Sequence, residues 1–304
     1  MTYAHEARGR RGTGIAGKAV SRTLIWVLLL FMLIFFVVPV IWLVVTPTKV
    51  DSSLAHTNPL AFGSFENVVA AWNHLAAFQD GAIWVWLRNS AFYSIAALLL
   101  TVIASVPAGY ALAMTRFRGR RILLSLTLLV MLMPGSALVL PIYLELSSVH
   151  LTGTPLSVIL PFSFYPFGVY LTYIYYSTSV PKNLLDAARI DGCSEWDVFR
   201  RIAVPLAKPI IALLAFFSFV ANWNNYFVPL VMLAKNDDYP IQLGLQELLS
   251  STPAFNPAVG GAQLDINRPE LALAVILAVL PVLVLFLFSQ RTLVAGMLAG
   301  SSKE

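Results

Sequence analysis

Long apolar stretches alternate along the chain with short charged connections. Six stretches contain no Asp, Glu, Lys or Arg over 20 to 36 consecutive residues, and roughly 20 mostly apolar residues suffice for a helix to cross a bilayer. They lie between Arg22 and Lys49, Arg88 and Arg116, Arg121 and Glu145, Glu145 and Lys182, Lys208 and Lys235, and Glu270 and Arg291. Strand-like alternation is absent, and lipid admits only helices or closed barrels. The pattern therefore predicts an all-α integral membrane protein with six transmembrane helices.

Two of the stretches need a closer reading. The fourth begins with Leu151-Thr152-Gly153-Thr154-Pro155, which indicates a polar turn, so we expect its span over 157–178. The first follows basic residues as a signal peptide would. Its uncharged run is far longer than an h-region of about 7 to 15 residues, and no small-residue cleavage site follows Val45. We expect it to remain as a transmembrane anchor.

The basic residues are concentrated in alternate connections. Of the 20 Lys and Arg residues, 16 lie in the N-terminal tail, the second and fourth connections and the C-terminal end, and 4 lie elsewhere. Cytoplasmic connections carry the excess of basic residues. The distribution therefore predicts that both termini are cytoplasmic.

These boundaries divide the chain into three parts. We expect a cytoplasmic basic tail over 1–22, a six-helix transmembrane domain over 23–293 and a cytoplasmic tail over 294–304. Within the domain, external loops are expected over 47–86 and 235–270. The first loop has an amphipathic pattern from Ser64 to Phe78, and Trp84 and Trp86 then lie where an interfacial aromatic belt is expected.

Composition and cysteine count exclude several classes of protein. With 58% hydrophobic and 12% charged residues and a mean hydropathy of +0.77, the chain is not an ordinary soluble domain. A single cysteine, Cys193, excludes an intrachain disulfide or a multi-thiolate metal site. The four histidines have no partner at metal-ligand spacing. The basic runs border the predicted spans, so membrane orientation explains them better than nucleic-acid binding.

The N-terminal tail imitates a nucleotide-binding loop. Gly12-Thr13-Gly14-Ile15-Ala16-Gly17 satisfies G-x-G-x-x-G, but no strand precedes it, and Ala19 stands where a phosphate loop needs Ser or Thr for magnesium. We expect a solvated, flexible tail and no cofactor on this chain. No Gly-x-Ser-x-Gly elbow occurs, and Glu145 is the one carboxylate within the spans, so we expect no enzymatic activity.

The connection over 181–205 has the features of two short helices joined by a tight turn. Pro181 and Gly192 bracket the first helix, because proline suits a helix start and glycine accepts the left-handed backbone at a helix end. Ser194 and Asp197 form a capping-box-like start for the second. The sequence predicts a helix-turn-helix across the cytoplasmic face.

The second helix carries Trp196, Phe199 and Ile202 at helical spacing, and the first carries two small residues, Ala187 and Ala188, that would let a partner surface come close. The alternative is that a membrane protein simply needs an amphipathic connection here. The candidate contact residues are Asp186, Ala187, Ala188, Arg189, Asp191, Gly192, Trp196 and Phe199.

The joint spacing resembles the EAA loop of ABC importer permeases, E-A-A-x3-G-x9-I-x-L-P. The matching positions are Asp186-Ala187-Ala188, Gly192, Ile202 and Val204-Pro205, with Asp for Glu and Val for Leu. The chain is also similar to MalG-like subunits of carbohydrate importers along most of its length. That similarity lies in Trp86-Leu87-Arg88-Asn89-Ser90, Ala187 to Gly192, Trp223-Asn224-Asn225-Tyr226, Pro229-Leu230, Gln290-Arg291, Gly296 and Ala299-Gly300.

The resemblance implies a type I (MetI-like) permease fold in a bacterial inner membrane. It implies that the 181–205 loop is a coupling helix seated in a cleft of a separate, homodimeric ABC ATPase, which binds ATP and magnesium. A MalF-like second permease subunit and an extracytoplasmic sugar-binding protein complete the expected assembly. The family's C-terminal tail reaches towards the ATPase, which makes Gln290, Gly296 and Gly300 candidate contacts.

A sugar path needs hydrogen-bonding groups inside the hydrocarbon, where unpaired polar atoms are costly. Ser218, Asn222, Asn225 and Tyr226 fall along one side of a continuous fifth helix, which we expect Pro229 to bend. The alternative is that they bond neighbouring helices and pack on the partner permease. Further path candidates are Glu145, at the outer end of span three, and Tyr165.

Two other functions remain open at this point. A glycerol phosphate ester or other sugar derivative is an alternative cargo, although the span interiors offer no Lys or Arg to an anion. An ion-coupled secondary transporter would need mid-membrane carboxylates or repeated halves with broken helices, and the sequence shows neither.

Overall fold

The computed structural model describes residues 9–256 and 266–299, and the side chains of 21–256 and 266–290. Within those ranges the chain is helical and has no strand. The helices are α1 (Gly9–Val45), α2 (Phe65–Ala77), α3 (Ala82–Met114), α4 (Arg120–Met131), α5 (Gly135–Ser148), α6 (Pro155–Ser163), α7 (Pro166–Ser179), α8 (Lys182–Ile190), α9 (Glu195–Leu206), α10 (Lys208–Trp223), α11 (Phe227–Met232), α12 (Ile241–Ser251) and α13 (Arg268–Ala299). The predicted all-α class is confirmed.

Four helical segments are long and apolar enough to cross a membrane singly. They are Ser21–Thr48, Ala82–Met114, Pro155–Ser179 and Arg268–Gln290. Two further pairs pass the same test only as bent units: α4 with α5, bent by 110°, and α9 with α10, bent by 74°. The described residues therefore contain four to six candidate spans.

The third apolar stretch is not one straight helix. Helix α4 stops at Met131 and α5 starts at Gly135, on either side of Pro134. Proline lacks the N–H that would continue the helix, and it disfavours helical backbone in the residue before it. The stretch between Arg121 and Glu145 is therefore divided into two helices that can form one span only as a bent pair.

The fifth stretch is also broken, and not where the sequence suggested. Helix α10 ends at Trp223, and α11 starts only at Phe227. Pro229 lies in the first turn of α11, where a missing N–H leaves no helical hydrogen bond unmade. The predicted bend at Pro229 is therefore replaced by a break over 224–226.

Both outer helices run further than predicted. Helix α1 reaches back to Gly9 and so includes residues 9–22 of the predicted tail, whereas residues 1–8 lie outside the described part. Helix α13 continues to Ala299, past the predicted boundary at residue 293. Once a span has nucleated a helix, each added residue gains a hydrogen bond without a new nucleation cost.

Helix α3 is the central element and packs most extensively on α6, α7 and α10. Its 33 residues extend for about 50 Å at the usual helical rise. A buried cluster around Trp86 lies near its start, and another around Tyr110 lies near its end. The second cluster joins α3 to α7, α8, α9 and α10, and it supports the predicted helix-turn-helix.

Helices α2 and α12, which lie within the two predicted loops, pack on the N-terminal end of α3, near Trp86. The amphipathic helix predicted from Ser64 to Phe78 is confirmed as α2, with the Ser64 hydroxyl accepting from the Asn67 amide at 3.3 Å. Residues 235–270, expected as a loop, contain α12, which packs on Trp86 so closely that a Cβ on Gly244 would lie 2.2 Å from the indole.

Trp86 therefore does not belong to an exposed aromatic belt, and that expectation is wrong. Its side chain is fully buried, and its indole N–H donates to Asn236 Oδ1 at 2.7 Å. Trp84 is half exposed and packs edge-on against Trp72 at a centroid distance of 5.5 Å. Two residues apart on one helix, the indoles point to different faces.

Candidate functional site

The predicted helix-turn-helix is present, and we call α8, α9 and the turn between them the hairpin. Gly192 has φ +85°, the left-handed backbone that glycine adopts without a Cβ clash. Backbone N–H groups of Gly192 and Cys193 donate to Arg189 and Ala188 carbonyls at 3.1 and 3.0 Å, which closes α8. The Ser194 hydroxyl accepts from the Asp197 amide at 3.2 Å and donates to its carboxylate at 2.7 Å. Both predicted caps are confirmed.

One face of the hairpin is buried against the rest of the protein. Leu185 and Ala188 of α8 pack with Val198 and Phe199 of α9, and the Phe199 ring lies 5.0 Å from that of Tyr110 on α3. The expectation that both alanines face a partner is wrong for Ala188, which is 7% exposed. Phe199 is buried too, so its side chain anchors the hairpin and does not lie on its surface.

A charged clasp ties the two helices together across the turn. The Arg189 guanidinium donates from Nε to Glu195 Oε1 at 2.7 Å, from Nη2 to Glu195 Oε2 at 3.1 Å, and from Nη1 to Asp186 Oδ1 at 2.7 Å. The hydrogen bond to Glu195, more than that to Asp186, raises the pKa of Arg189 above its ordinary value. Sequence reasoning missed Glu195, because a separation of six residues across a turn matches no helical spacing.

The opposite face of the hairpin is exposed and largely apolar. Ile190 is 86% exposed and Trp196 is 65% exposed, and the side chains of Leu184 and Ala187 are also exposed. Asp191 and Gly192 are exposed at the tip. Exposed large apolar side chains grouped in one place are characteristic of interaction sites. The arrangement can insert a small apolar helix, held rigid by the clasp, into a groove of another protein.

The predicted path residues divide between α10 and the break that follows it. Ser218 is buried on α10, and the Asn222 amide donates to the Ser218 carbonyl at 2.7 Å. Asn225 and Tyr226 lie in the break, so the single helical face proposed for all four is wrong.

Asn225 differs from the other three residues in having a side-chain nitrogen that makes no hydrogen bond among the described residues. Its Oδ1 accepts from the Val228 amide at 3.4 Å, whereas its Nδ2 is buried and has no hydrogen-bond partner among the described residues. Buried donors are nearly always paired. An unpaired amide at a helix break is suited to a ligand that supplies an acceptor.

The other path candidates lie on different elements. Glu145 is exposed on α5, and Tyr165 lies at the break between α6 and α7, its ring 5.7 Å from that of Phe167. Neither side chain shares a hydrogen bond with Ser218, Asn222, Asn225 or Tyr226 among the bonds of the described residues.

The C-terminal candidates are only partly within the described residues. Gln290 is exposed on α13, and its amide donates to the Leu287 carbonyl at 3.0 Å. Gly296 is part of the same helix, whereas Gly300 lies outside the described part. Within the residues that the structure covers, no three His, Cys, Asp or Glu side chains are grouped as metal ligands.

Known relatives cover nearly the whole chain. The chain is 31% identical over 285 residues to the arabinooligosaccharides transport system permease protein AraQ of Bacillus subtilis (strain 168), covering 93% of this chain and 95% of AraQ. It is 32% identical over 267 residues to the lactose transport system permease protein LacG of Rhizobium radiobacter, covering 87% of this chain and 90% of LacG.

The fold is that of a known importer. A chain from the crystal structure of a bacterial ABC transporter involved in the import of the acidic polysaccharide alginate superposes with a TM-score of 0.74 at 22% identity, covering 93% of this chain and 97% of that one. The predicted ABC permease fold is thereby confirmed. Residues 105–298, which include the hairpin, match the family described as binding-protein-dependent transport system inner membrane component. The chain belongs to that family of multi-pass membrane permeases.

Proposed function

We propose that this chain is one permease subunit of an ATP-driven carbohydrate importer, with six spans and both termini in the cytoplasm. It forms half of the pore beside a MalF-like second permease. A separate ABC ATPase homodimer hydrolyses ATP with its own magnesium, and an extracytoplasmic sugar-binding protein delivers the cargo. Support for carbohydrate comes from relatives named for arabinooligosaccharides and lactose.

The hairpin is the observation that carries the proposal. It presents an exposed apolar surface while its other face is locked to α3 through Phe199 and Tyr110. A push on the surface is therefore transmitted to the span instead of being absorbed by the loop. The 74° bend between α9 and α10 lets the hairpin lie across the membrane surface while α10 enters the bilayer.

The mechanism that follows is alternating access. Closure of the ATPase pair moves the two permease hairpins, and the spans tilt as packed bodies to reopen the pore outwards. To reverse a 99:1 preference for one conformation of the importer, ATP must bind the other conformation roughly 10⁴-fold more tightly. Asn225 lies in the break at 224–226, and its buried Nδ2, which has no partner among the described residues, supports a contact with a sugar hydroxyl.

Uptake measured in vesicles with the importer reconstituted tests the function. Arabinooligosaccharides, lactose and a glycerol phosphate ester are offered with ATP inside, with and without an imposed ion gradient. We expect ATP-dependent uptake of one carbohydrate. Uptake driven by the gradient alone, or restricted to the phosphate ester, would contradict the proposal.

Substitutions at Gly192 test the coupling role. An added Cβ would meet no atom within 4 Å, so only the backbone at φ +85° resists substitution. Gly192→Val places a β-branched residue where left-handed backbone costs roughly 1–2 kcal/mol, whereas Asn tolerates that backbone. We expect Gly192→Val to abolish uptake while the complex still inserts, and Gly192→Asn to retain it. Equal uptake in both variants would overturn the assignment.

A further inference from the structure

A groove of about 780 Å³ opens behind the hairpin. Its walls are the C-terminal end of α3, the connection to α4, and the inner sides of α8 and α9. Its volume falls in the range of small-molecule sites. Trp196 lies at the boundary between this groove and the exposed surface of the hairpin, whereas Ile190, Leu184 and Ala187 are not among the lining residues, so the groove adjoins the coupling surface.

Positively charged side chains outnumber carboxylates in the groove, and the carboxylates are already paired. Its two carboxylates, Asp186 and Glu195, are both held by Arg189. The remaining cations are Arg116, Arg120 and Lys182, and no ion pair joins any of them to a carboxylate within the described residues. Guanidinium and ammonium groups only donate hydrogen bonds. These three side chains therefore offer unpaired hydrogen-bond donors and positive charge, which suit an anion.

A buried hydroxyl in the wall of the groove also lacks a partner. Tyr110 is 6% exposed, and its OH group forms no hydrogen bond of normal geometry within the described structure, although Arg189 is near enough to interact with it electrostatically. Leaving a buried hydroxyl unbonded costs free energy, so such groups are normally satisfied by protein, water or ligand. This hydroxyl can serve as one more donor to a bound anion.

The position of the groove and its apolar walls favour a lipid over a soluble anion. It lies between the end of one candidate span, at Met114, and the start of the next, at Arg120, and the ends of spans are expected at the level of lipid headgroups. Apolar side chains such as Leu185 and Phe199 line it. A neighbouring groove shares Arg116 and Arg120 and leads to Ile122, which is 67% exposed on α4.

We propose that this groove binds the phosphate headgroup of an anionic phospholipid. Arg116, Arg120 and Lys182 surround the phosphate, Tyr110 donates to it, and an acyl chain follows the exposed apolar face of α4. Because Lys182 begins α8 and Arg116 follows α3, the lipid bridges the C-terminal end of α3 to the hairpin. The inference concerns binding alone and does not depend on the cargo or on ATP.

The test measures lipid retained by the full-length chain, purified with its associated subunits from vesicles of equal phosphatidylcholine and phosphatidylglycerol. Native mass spectrometry counts the phosphatidylglycerol that stays bound. We expect retention by the wild type, and a loss of about fivefold for each of Arg120→Gln and Lys182→Gln, the contribution of one basic residue near an anionic surface. Arg118→Gln is the matched control, since Arg118 carries the same charge on the same connection and is not among the lining residues.

Tyr110→Phe gives a readout that a purely structural role would not produce. Removing an unpaired hydroxyl should leave the melting temperature in phosphatidylcholine unchanged or higher, while phosphatidylglycerol retention falls. Equal retention by wild type, Arg120→Gln and Lys182→Gln would overturn the proposal, as would an equal loss in Arg118→Gln. Displacement of the lipid by excess inorganic phosphate or glycerol 3-phosphate would assign the groove to a soluble anion instead and would also overturn it.

Discussion

Arg189 grips Glu195 with two hydrogen bonds, of 2.7 and 3.1 Å, across the turn of the hairpin. The two residues lie on different helices, so this contact sets the angle at which α8 and α9 meet. Both side chains are partly exposed, at 32% for Arg189 and 64% for Glu195. We therefore expect the Arg189–Glu195 pair to affect the geometry of the hairpin more than the free energy of unfolding of the whole protein.

We predict that Glu195→Gln lowers uptake several-fold with little change in melting temperature. The neutral side chain loses the bidentate charged pair, and exposed pairs contribute only about 0.2–1 kcal/mol. Hydrogen exchange of the backbone over 182–197 should rise in the variant. Arg201→Gln is the control, because it removes the exposed Arg201–Asp197 pair, at 3.1 Å, within one helix. Identical behaviour of the two variants would count against a clasp across the turn.

The break in the fifth span gives a second prediction. Asn225→Ala removes the unpaired Nδ2 donor, so we expect a higher KM for sugar uptake with kcat less affected. Losing one sugar hydrogen bond should cost about 0.5–1.5 kcal/mol. Asn224→Ala is the neighbouring control, since Asn224 is exposed and its Oδ1 accepts from Gln242 Nε2 at 3.4 Å. An unchanged KM in Asn225→Ala would remove Asn225 from the path.

An ion pair joins the first connection to the start of α13 and predicts a pH dependence. Arg268 donates from Nε and Nη2 to the Asp51 carboxylate at 2.7 and 3.0 Å. This hydrogen bonding is the main reason that the pKa of Asp51 lies below its ordinary value of 3.8. A carboxyl with a lowered folded-state pKa stabilises the fold above its unfolded pKa, and this stabilisation is lost as pH falls through the folded value.

Thermal melts of the purified chain from about pH 6 to about pH 3 check that dependence. We expect Asp51→Asn to start from a lower melting temperature and to lose less of it below about pH 4 than the wild type. Asp237→Asn changes an exposed carboxylate that has no ion pair among the described residues, and it should leave the slope unaltered. Parallel curves for Asp51→Asn and the wild type would refute this account of the pair.

The sequence predicted the elements governed by local rules and missed those set by tertiary contacts. The all-α class, α2 and the caps of α8 and α9 follow from hydropathy and from the positions of proline, glycine and serine. The sequence predicts an interfacial Trp86 because the residue lies just before the second apolar stretch, where interfacial aromatics are expected. What buries it is α12, more than 150 positions away, and a distant contact leaves no periodic signal.

The candidate site was likewise predicted only where local sequence signals determine it. Loop spacing identified the hairpin, but helical periodicity by itself could not show that Ala188 is turned inwards and Ala187 outwards. The break at 224–226 was missed because proline is a stronger sequence signal than two asparagines. The groove behind the hairpin combines residues from α3, α8, α9 and the connection before α4, so it exists only in the folded chain.

The most direct test of the account uses Cys193, the single cysteine, which is exposed at the turn of the hairpin. The measurement is labelling of Cys193 by a membrane-impermeant maleimide in intact cells and in inverted membrane vesicles, before and after the ATPase is stripped from the vesicles. The account predicts no labelling in cells, weak labelling in inverted vesicles and strong labelling once the ATPase is removed. Labelling of intact cells, or labelling in vesicles that does not change when the ATPase is removed, would contradict it.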